Sequence, residues 1–516
     1  MNKQLLETLD CELIIGIVGA VGTKFKEVIQ KLQTQLELAD YAVETIKVSQ
    51  DVIQQIVDIP EHNGDYQRYS AFMEAGNQAR RTSRSNAADG NPNSAGNNRI
   101  LALGVAARIF SRREKRIVGD EIQPVPKFKH AFIVDSLKRP EEVEALRLIY
   151  GDGFVLVGVY EDEEQRLRNL SGQGQMTIEE AKDLVKRDFD EGESPHGQRV
   201  NETFHRADFF VEIKDARSDL ECSIQRMVEI WFGHPFRTPI FDEYAMYMAY
   251  SAALRSADLS RQVGAVLTRN EQILSTGAND CPQANGGLYW PSKSFTPDCT
   301  NDSPSGRDYL RGIDSNREAQ LEMIESIVKK LGKDPNSSEA EFIRTKLDSS
   351  PITDITEYGR VVHAEMEALL ACARFGIATS GTTLYCTTFP CHNCAKHIIA
   401  AGVTRVVYIE PYPKSRAIRH HADAITEKDD PNLVQFVPFT GIGPKRYFDL
   451  FSMDGGSSYR IRRKDRKSGN AEDWRLQDSR LRIQMRAFTY LDAETQAATL
   501  FTELIPKGDG DDRQEV

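Results

Sequence analysis

The chain has little cysteine. Eight in 516 residues are too sparse for a disulfide scaffold, so a reducing compartment is expected. Only Cys391 and Cys394 stand at a metal-type spacing. Long apolar runs are missing as well, and none approaches the roughly 18 residues that a membrane-spanning helix needs. The longest early run, Leu13 to Gly22, follows Asp10 and Glu12 rather than the basic cluster of a signal peptide. Neither membrane insertion nor export is expected, and a cytoplasmic location is. A basic excess is also absent: 65 Lys and Arg face 77 Asp and Glu, a net charge of −12. A protein that coats DNA or RNA needs a basic footprint, so a polynucleotide substrate is not expected. A local pocket for one nucleotide's phosphates remains compatible with the balance. No internal repeat is present.

What is there is ordinary globular material, with 40% hydrophobic and 28% charged residues. At roughly 150 residues per domain, the length suits two to three domains. The first half alternates apolar strands (Leu13–Val18, His130–Val134, Phe154–Val159, Asp208–Ile213) with helical stretches such as Lys24–Glu37 and Pro140–Tyr150. That order predicts a parallel sheet. Thr82 to Asn98, rich in Ser, Asn, Gly and Ala, reads as a loop or lid. Around Gly233 the pattern changes to a helix (Phe241–Ala257), a hairpin (Val263–Thr268, Ile273–Thr276) and a polar insertion at 281–357. Helix Val362–Phe375, strand Thr383–Cys386, helix Cys391–Ala401 and strand Arg405–Glu410 follow. The expected division is therefore 1–232, 233–453 and a C-terminal extension, 454–516, with a solvated tail from Lys507.

His363-Ala364-Glu365 and, downstream, Pro390-Cys391-His392-Asn393-Cys394 carry the chemistry. Two cysteines three apart at a helix start project on one face, where the helix dipole favours thiolate. His363 supplies a third, neutral ligand. Three protein ligands leave a tetrahedral zinc ion one open position, the arrangement of a catalytic rather than a structural site. Glu365 is placed to move protons: from water to a ring nitrogen, then to a departing amine. His392 and His397 read as surface or packing residues, and Cys372 and Cys386 as small core residues. Cys281 and Cys299, alone in the insertion, are too few to define a second zinc site.

The H-x-E…P-C-x-x-C pattern is the signature of zinc-dependent nucleobase deaminases. Within that group, Val362–Ser415, with Cys386-Thr387-Thr388-Phe389-Pro390-Cys391 and Tyr408 to Ser415, resembles the deoxycytidylate branch. The resemblance implies a cytidine-deaminase-like α/β/α sandwich and one Zn2+ per chain. It also implies a deoxycytidine nucleotide substrate held by Asn279 on the sugar and Arg261 near the phosphate side, with Lys414 a further substrate-binding residue. Upstream, strand Leu13–Val18 running into Gly19-Ala20-Val21-Gly22-Thr23-Lys24 resembles P-loop nucleotide kinases, as does the strand ending in Asp135. The implied N-terminal fold is a P-loop NTPase-like parallel sheet that binds a nucleotide through Gly19, Gly22, Thr23, Lys24, Lys26 and Asp135. The loop departs from the P-loop pattern at Phe25, where a hydroxyl would hold magnesium. The joined halves resemble bacterial anti-phage dCTP deaminases, which implies conversion of dCTP, and also dCMP, to the uracil nucleotide. A homo-oligomer and a regulatory ligand or RNA are compatible with this reading. The rival readings are a housekeeping dCMP deaminase, a polynucleotide-editing deaminase and a catalytically dead nucleotide sensor.

Overall fold

The computed structural model describes residues 12–83, 96–118, 121–172, 176–191, 194–214, 217–293, 300–355, 358–412, 415–454, 459–483, 485 and 489–505. The chain forms two compact units, Met1–Pro239 with Thr440–Val516, and Ile240–Phe439. Most of the 82–98 stretch, Cys299, Lys414 and the tail from 506 lie outside the described residues.

In the first unit, β1 (Leu13–Val18) is LIIGIV, apolar throughout and buried at every position. Such a strand sits at the centre of a parallel sheet with both faces covered. The other strands are β2 (Ala42–Lys47), β3 (His130–Asp135), β4 (Phe154–Tyr160) and β5 (Phe209–Glu212), in the spatial order β5–β4–β1–β3–β2. All of these pair in parallel, with Ile15 opposite both Ile133 and Val155. Helix α1 (Phe25–Leu38) buries Val28, Ile29, Leu32 and Leu36 as one stripe.

The C-terminal residues belong to this unit. Gly441–Ile442 adds antiparallel to β5, and Leu450, Leu481 and Ile483 join the core formed by β1 and β4. This corrects the expected boundary near 453 and the reading of 454–516 as an extension. The cause is physical: the returning segment contributes apolar residues singly, between charges, so no periodic run announces it. Arg113, fully buried, bridges Glu12 at 2.6 Å and Glu494. Tyr150 donates to Glu494 at 2.8 Å and Tyr490 to Glu12 at 2.7 Å. Helix Thr489–Leu504 is thereby tied to the approach to β1.

The second unit holds β6 (Gly264–Arg269), β7 (Gln272–Ala278), β8 (Thr382–Thr388), β9 (Val403–Glu410), β10 (Ile425–Thr426) and β11 (Val434–Pro438), ordered β10–β11–β9–β8–β6–β7. β6 and β7 form the expected hairpin, turned by Asn270 and Glu271 at φ 49° and 56°. Helices α2 (Phe241–Ala253), α3 (Ala364–Arg374) and α4 (His392–Ala400) accompany the sheet. α3 lies so close that a Cβ on Gly277 would stand 2.0 Å from the Ala364 carbonyl oxygen. The insertion is not a bare loop, for it folds helices Ser315–Lys330 and Ser338–Asp348.

Candidate active site

Three side chains converge where two helices start. His363 is the N-cap of α3, in extended backbone, and Cys391 is the N-cap of α4. The Cys391 sulfur accepts from the Cys394 amide at 3.4 Å, so it stands among free helical N–H groups that favour negative charge. His363 Nδ1 lies 3.3 Å from each sulfur. The candidate ligand atoms of all three residues fall within 4.8 Å of one another. Hydrogen bonding to Cys394 and then to His363 pulls the Cys391 thiol down to about 4 against its burial. The bond to Cys391 in turn raises His363 to about 9. Two thiols and one imidazole converging at this range fit the soft, tetrahedral donor preference of zinc and leave a fourth position open.

Glu365, two residues into α3, is only 4% exposed. Burial raises its carboxyl above the ordinary glutamate value, with the field of His363 pulling the other way. It is not part of the three-ligand group. A buried carboxyl beside the ligand group is suited to exchanging protons in a dry site.

Asn279 and Arg261 are brought together in one turn. The Asn279 side chain accepts from the Val263 amide at 2.7 Å and donates to the Arg261 carbonyl at 2.9 Å, so it shapes the 261–263 turn. The next residue, Asp280, exchanges backbone hydrogen bonds with Val362, which precedes His363. That bridge carries the turn to the metal site. Arg261 lies 3.8 Å from the Glu410 carboxylate, with its guanidinium 5.4 Å from the centre of the Tyr412 ring. Glu410 and Tyr412 were not singled out from sequence, although both fall within the 408–415 stretch that carried the resemblance.

The remaining candidates hold other posts. His397 faces the Asn393 carbonyl oxygen at 2.7 Å, and neither it nor His392 joins the ligand group. Cys372 and Cys386 are buried, the former donating to Ser275 at 3.3 Å. Burial pushes the Cys281 thiol up to about 11, and it faces Asp308 at 3.5 Å.

In the first unit, two amides of the Gly19–Lys24 loop are held by carboxylates of the chain itself. Val21 N–H donates to Asp188 at 2.7 Å, and Lys24 N–H donates to Glu161 at 3.0 Å. Lys138 reaches both Asp188, at 2.9 Å, and the Gly19 carbonyl, at 3.1 Å. Two of the chain's own carboxylates thus stand where a phosphate cradle would bind its ligand. Gly22 has φ +87°, and a Cβ there would meet the Arg166 carbonyl oxygen at 2.8 Å. Gly22, Thr23, Lys26 and Asp135 line a cavity of about 570 Å³; Gly19 and Lys24 do not. Burial raises the Asp135 carboxyl, against the fields of Lys138 and Lys47. Two further cations of the lining, Lys47 and Lys138, were missed, although the carboxyl ends of parallel strands are where ligands bind.

Residues 239–410 match the cytidine and deoxycytidylate deaminase zinc-binding region. The second unit thus carries a zinc deaminase domain of the deoxycytidylate type. Among relatives, ComE operon protein 2 of Bacillus subtilis is 49% identical over 53 residues, 10% of this chain and 28% of that protein's length. The deoxycytidylate deaminase of Enterobacteria phage T4 is 29% identical over 171 residues, 33% of this chain and 78% of its own. That of Saccharomyces cerevisiae is 26% identical over 183 residues, 34% of this chain and 40% of its own. A solved dCMP deaminase from cyanophage S-TIM5, in complex with dCMP and dUMP, aligns at 19% identity with a TM-score of 0.22, covering 39% of this chain and 98% of that one.

Proposed function

We propose that this protein hydrolytically deaminates free deoxycytidine nucleotides, with His363, Cys391 and Cys394 holding one zinc ion. The observation that carries the reading is the convergence of those three donors beside a buried Glu365. Bound zinc would acidify a water for attack. Glu365 takes the proton from that water and delivers it to ring N3 as the oxygen adds to C4. It then carries the remaining proton of that water, from the hydroxyl now on C4, to the exocyclic nitrogen, so that the C4–N bond breaks, ammonia leaves and the C4 carbonyl of the uracil nucleotide remains. We assign Arg261, in the 261–263 turn that Asn279 braces, to the substrate's phosphate side, and Lys414 to the substrate.

The two-part architecture, through its resemblance to anti-phage enzymes, supports dCTP as substrate and depletion of the dCTP pool during phage infection. The naming of the T4 and yeast relatives as deoxycytidylate deaminases favours dCMP as a second substrate. The net charge of −12 speaks against a polynucleotide. The test is to incubate purified protein with dCTP, dCMP and a cytosine-containing single strand, and to separate the products. Uracil nucleotide from a free nucleotide is expected. Deamination of the single strand alone would overturn the proposal.

A further inference from the structure

The insertion at 281–357 brings little apolar surface to the second unit and is pinned to it by buried polar contacts. Its helices Ser315–Lys330 and Ser338–Asp348 bury Gln320, Ile324, Val328 and Ala340. The hub of the attachment is Asp308, 5% exposed, which opens the short helix Asp308–Arg311. Its Oδ1 accepts from the Arg360 guanidinium at 2.9 Å and from the Cys281 thiol at 3.5 Å. Its Oδ2 accepts from the Ser315 hydroxyl at 2.7 Å and the Ser315 amide at 3.2 Å. Arg360 stands shortly before His363 in the chain. It also donates to the Gly306 carbonyl at 3.2 Å, and its backbone amide donates to the Ser315 hydroxyl at 3.0 Å. Earlier on the same approach, the Ile355 carbonyl accepts from Asn316 at 2.8 Å and from Gln320 at 3.0 Å.

His363 depends on such support. As an N-cap its backbone is extended, with φ −68° and ψ 151°, so α3 does not fix its dihedrals and the residues ahead of it must. Val362 is held from beyond the end of β7 by its backbone pair with Asp280. The Asp280 carboxylate in turn lies 3.4 Å from Arg307, the chain neighbour of Asp308. Cys391 and Cys394 are set otherwise. They share α4, and just ahead of them the Phe389 amide donates to the Glu410 carbonyl of β9 at 2.7 Å. Two donors are thus placed from the sheet, and the third along an approach gripped by the insertion. We propose that Asp308 and Arg360 are positioning residues of the metal site, and that the insertion, through this buried pair, orients His363 and governs retention of the ion. The inference rests on the zinc deaminase reading and gives that site a support outside its motif. Groups one step behind a metal ligand set metal affinity by roughly 10–100-fold. Removing either member of the pair leaves the other charge buried and uncompensated, so the approach to His363 must shift.

The test uses the full chain loaded with zinc, as wild type and as Asp308→Asn, Arg360→Gln, Arg360→Lys and Arg344→Gln proteins. Arg344 pairs with Glu325 between the insertion's two helices and serves as the control. Two quantities are read: the rate of zinc release to excess EDTA, and the visible absorption of the cobalt-substituted protein, which reports ligand geometry. Circular dichroism establishes that each variant is folded. Release from Asp308→Asn and Arg360→Gln should be faster by roughly 10–100-fold, with a shifted cobalt band. Arg360→Lys, which keeps the charge beside Asp308, should return most of the way to wild type, and Arg344→Gln should match it. If Asp308→Asn does not fold, the comparison of Arg360→Gln with Arg360→Lys decides. Wild-type release and cobalt spectrum in folded Asp308→Asn and Arg360→Gln would overturn the proposal. So would equally fast release from Arg344→Gln, or an Arg360→Lys protein no better than Arg360→Gln. A wild type that holds zinc and deaminates while all variants release alike sinks this inference alone. A wild type without zinc sinks the deaminase reading on which it rests.

Discussion

At the scale of single residues, the metal site separates into holders and a proton carrier. Cys394→Ala removes one of only three protein donors, so zinc measured by atomic absorption should drop from about one per chain to near zero. Glu365→Gln leaves those donors in place. It should retain zinc while deamination falls by roughly 10²–10⁴-fold, since the proton path between water, N3 and the leaving amine is cut. A Glu365→Gln enzyme of normal rate would remove Glu365 from the mechanism. Asn279 shows where residue-level reading stopped. Its match to a sugar-binding position is visible in Gly277-Ala278-Asn279, yet its two bonds to Val263 and Arg261 span 16 and 18 residues of sequence. Spacing alone cannot reveal such a contact. The metal donors were legible because two of them share one helix turn and the third opens the next helix upstream.

Among the elements, strands with continuous apolar runs and helices with a single stripe were readable, as in β1 and α1. β2 was not, since AVETIK at the sheet edge is mostly half-exposed and carries no unbroken apolar run. The Gly19–Lys24 loop was read from its glycines, but what fills it comes from Glu161 and Asp188, 137 and 167 residues away. Its rigidity gives a prediction. Gly22→Ala forces a left-handed φ on a residue with a Cβ and presses on the Arg166 carbonyl, so the first unit should lose on the order of 1–3 kcal/mol in denaturant unfolding. An unchanged midpoint would mean that the loop relaxes freely. Helix Pro140–Tyr150 offers a pH test. Burial alone would raise Glu141, but hydrogen bonding with Arg139 holds it down to about 2. A carboxyl lowered on folding stabilises above its unfolded value, near 4.5, and that stabilisation is lost as pH falls towards 2. Wild type and Glu141→Gln should therefore differ in stability at pH 6 and converge near pH 2. A constant gap would show that the ionised form contributes nothing.

For the whole molecule, the buried Glu12–Arg113–Glu494 cluster is the clearest lever. Arg113→Met leaves two carboxylates in the interior without their cation, and should destabilise the first unit by about 3–5 kcal/mol. Circular dichroism during urea unfolding would measure this, and a loss below about 1 kcal/mol would place the cluster in contact with water. Because Thr440–Val516 belongs with Met1–Pro239, the deaminase unit is an interlude within the first. On the ribosome this sets an order of birth. The later-starting unit is fully synthesised at Phe439, while the earlier one still waits for its closing strand and helix. At roughly 5–20 residues per second, several seconds separate the two. Throughout that interval the half-built first unit exposes the edge of β5 and an uncovered core, and this is when the nascent chain most needs a chaperone.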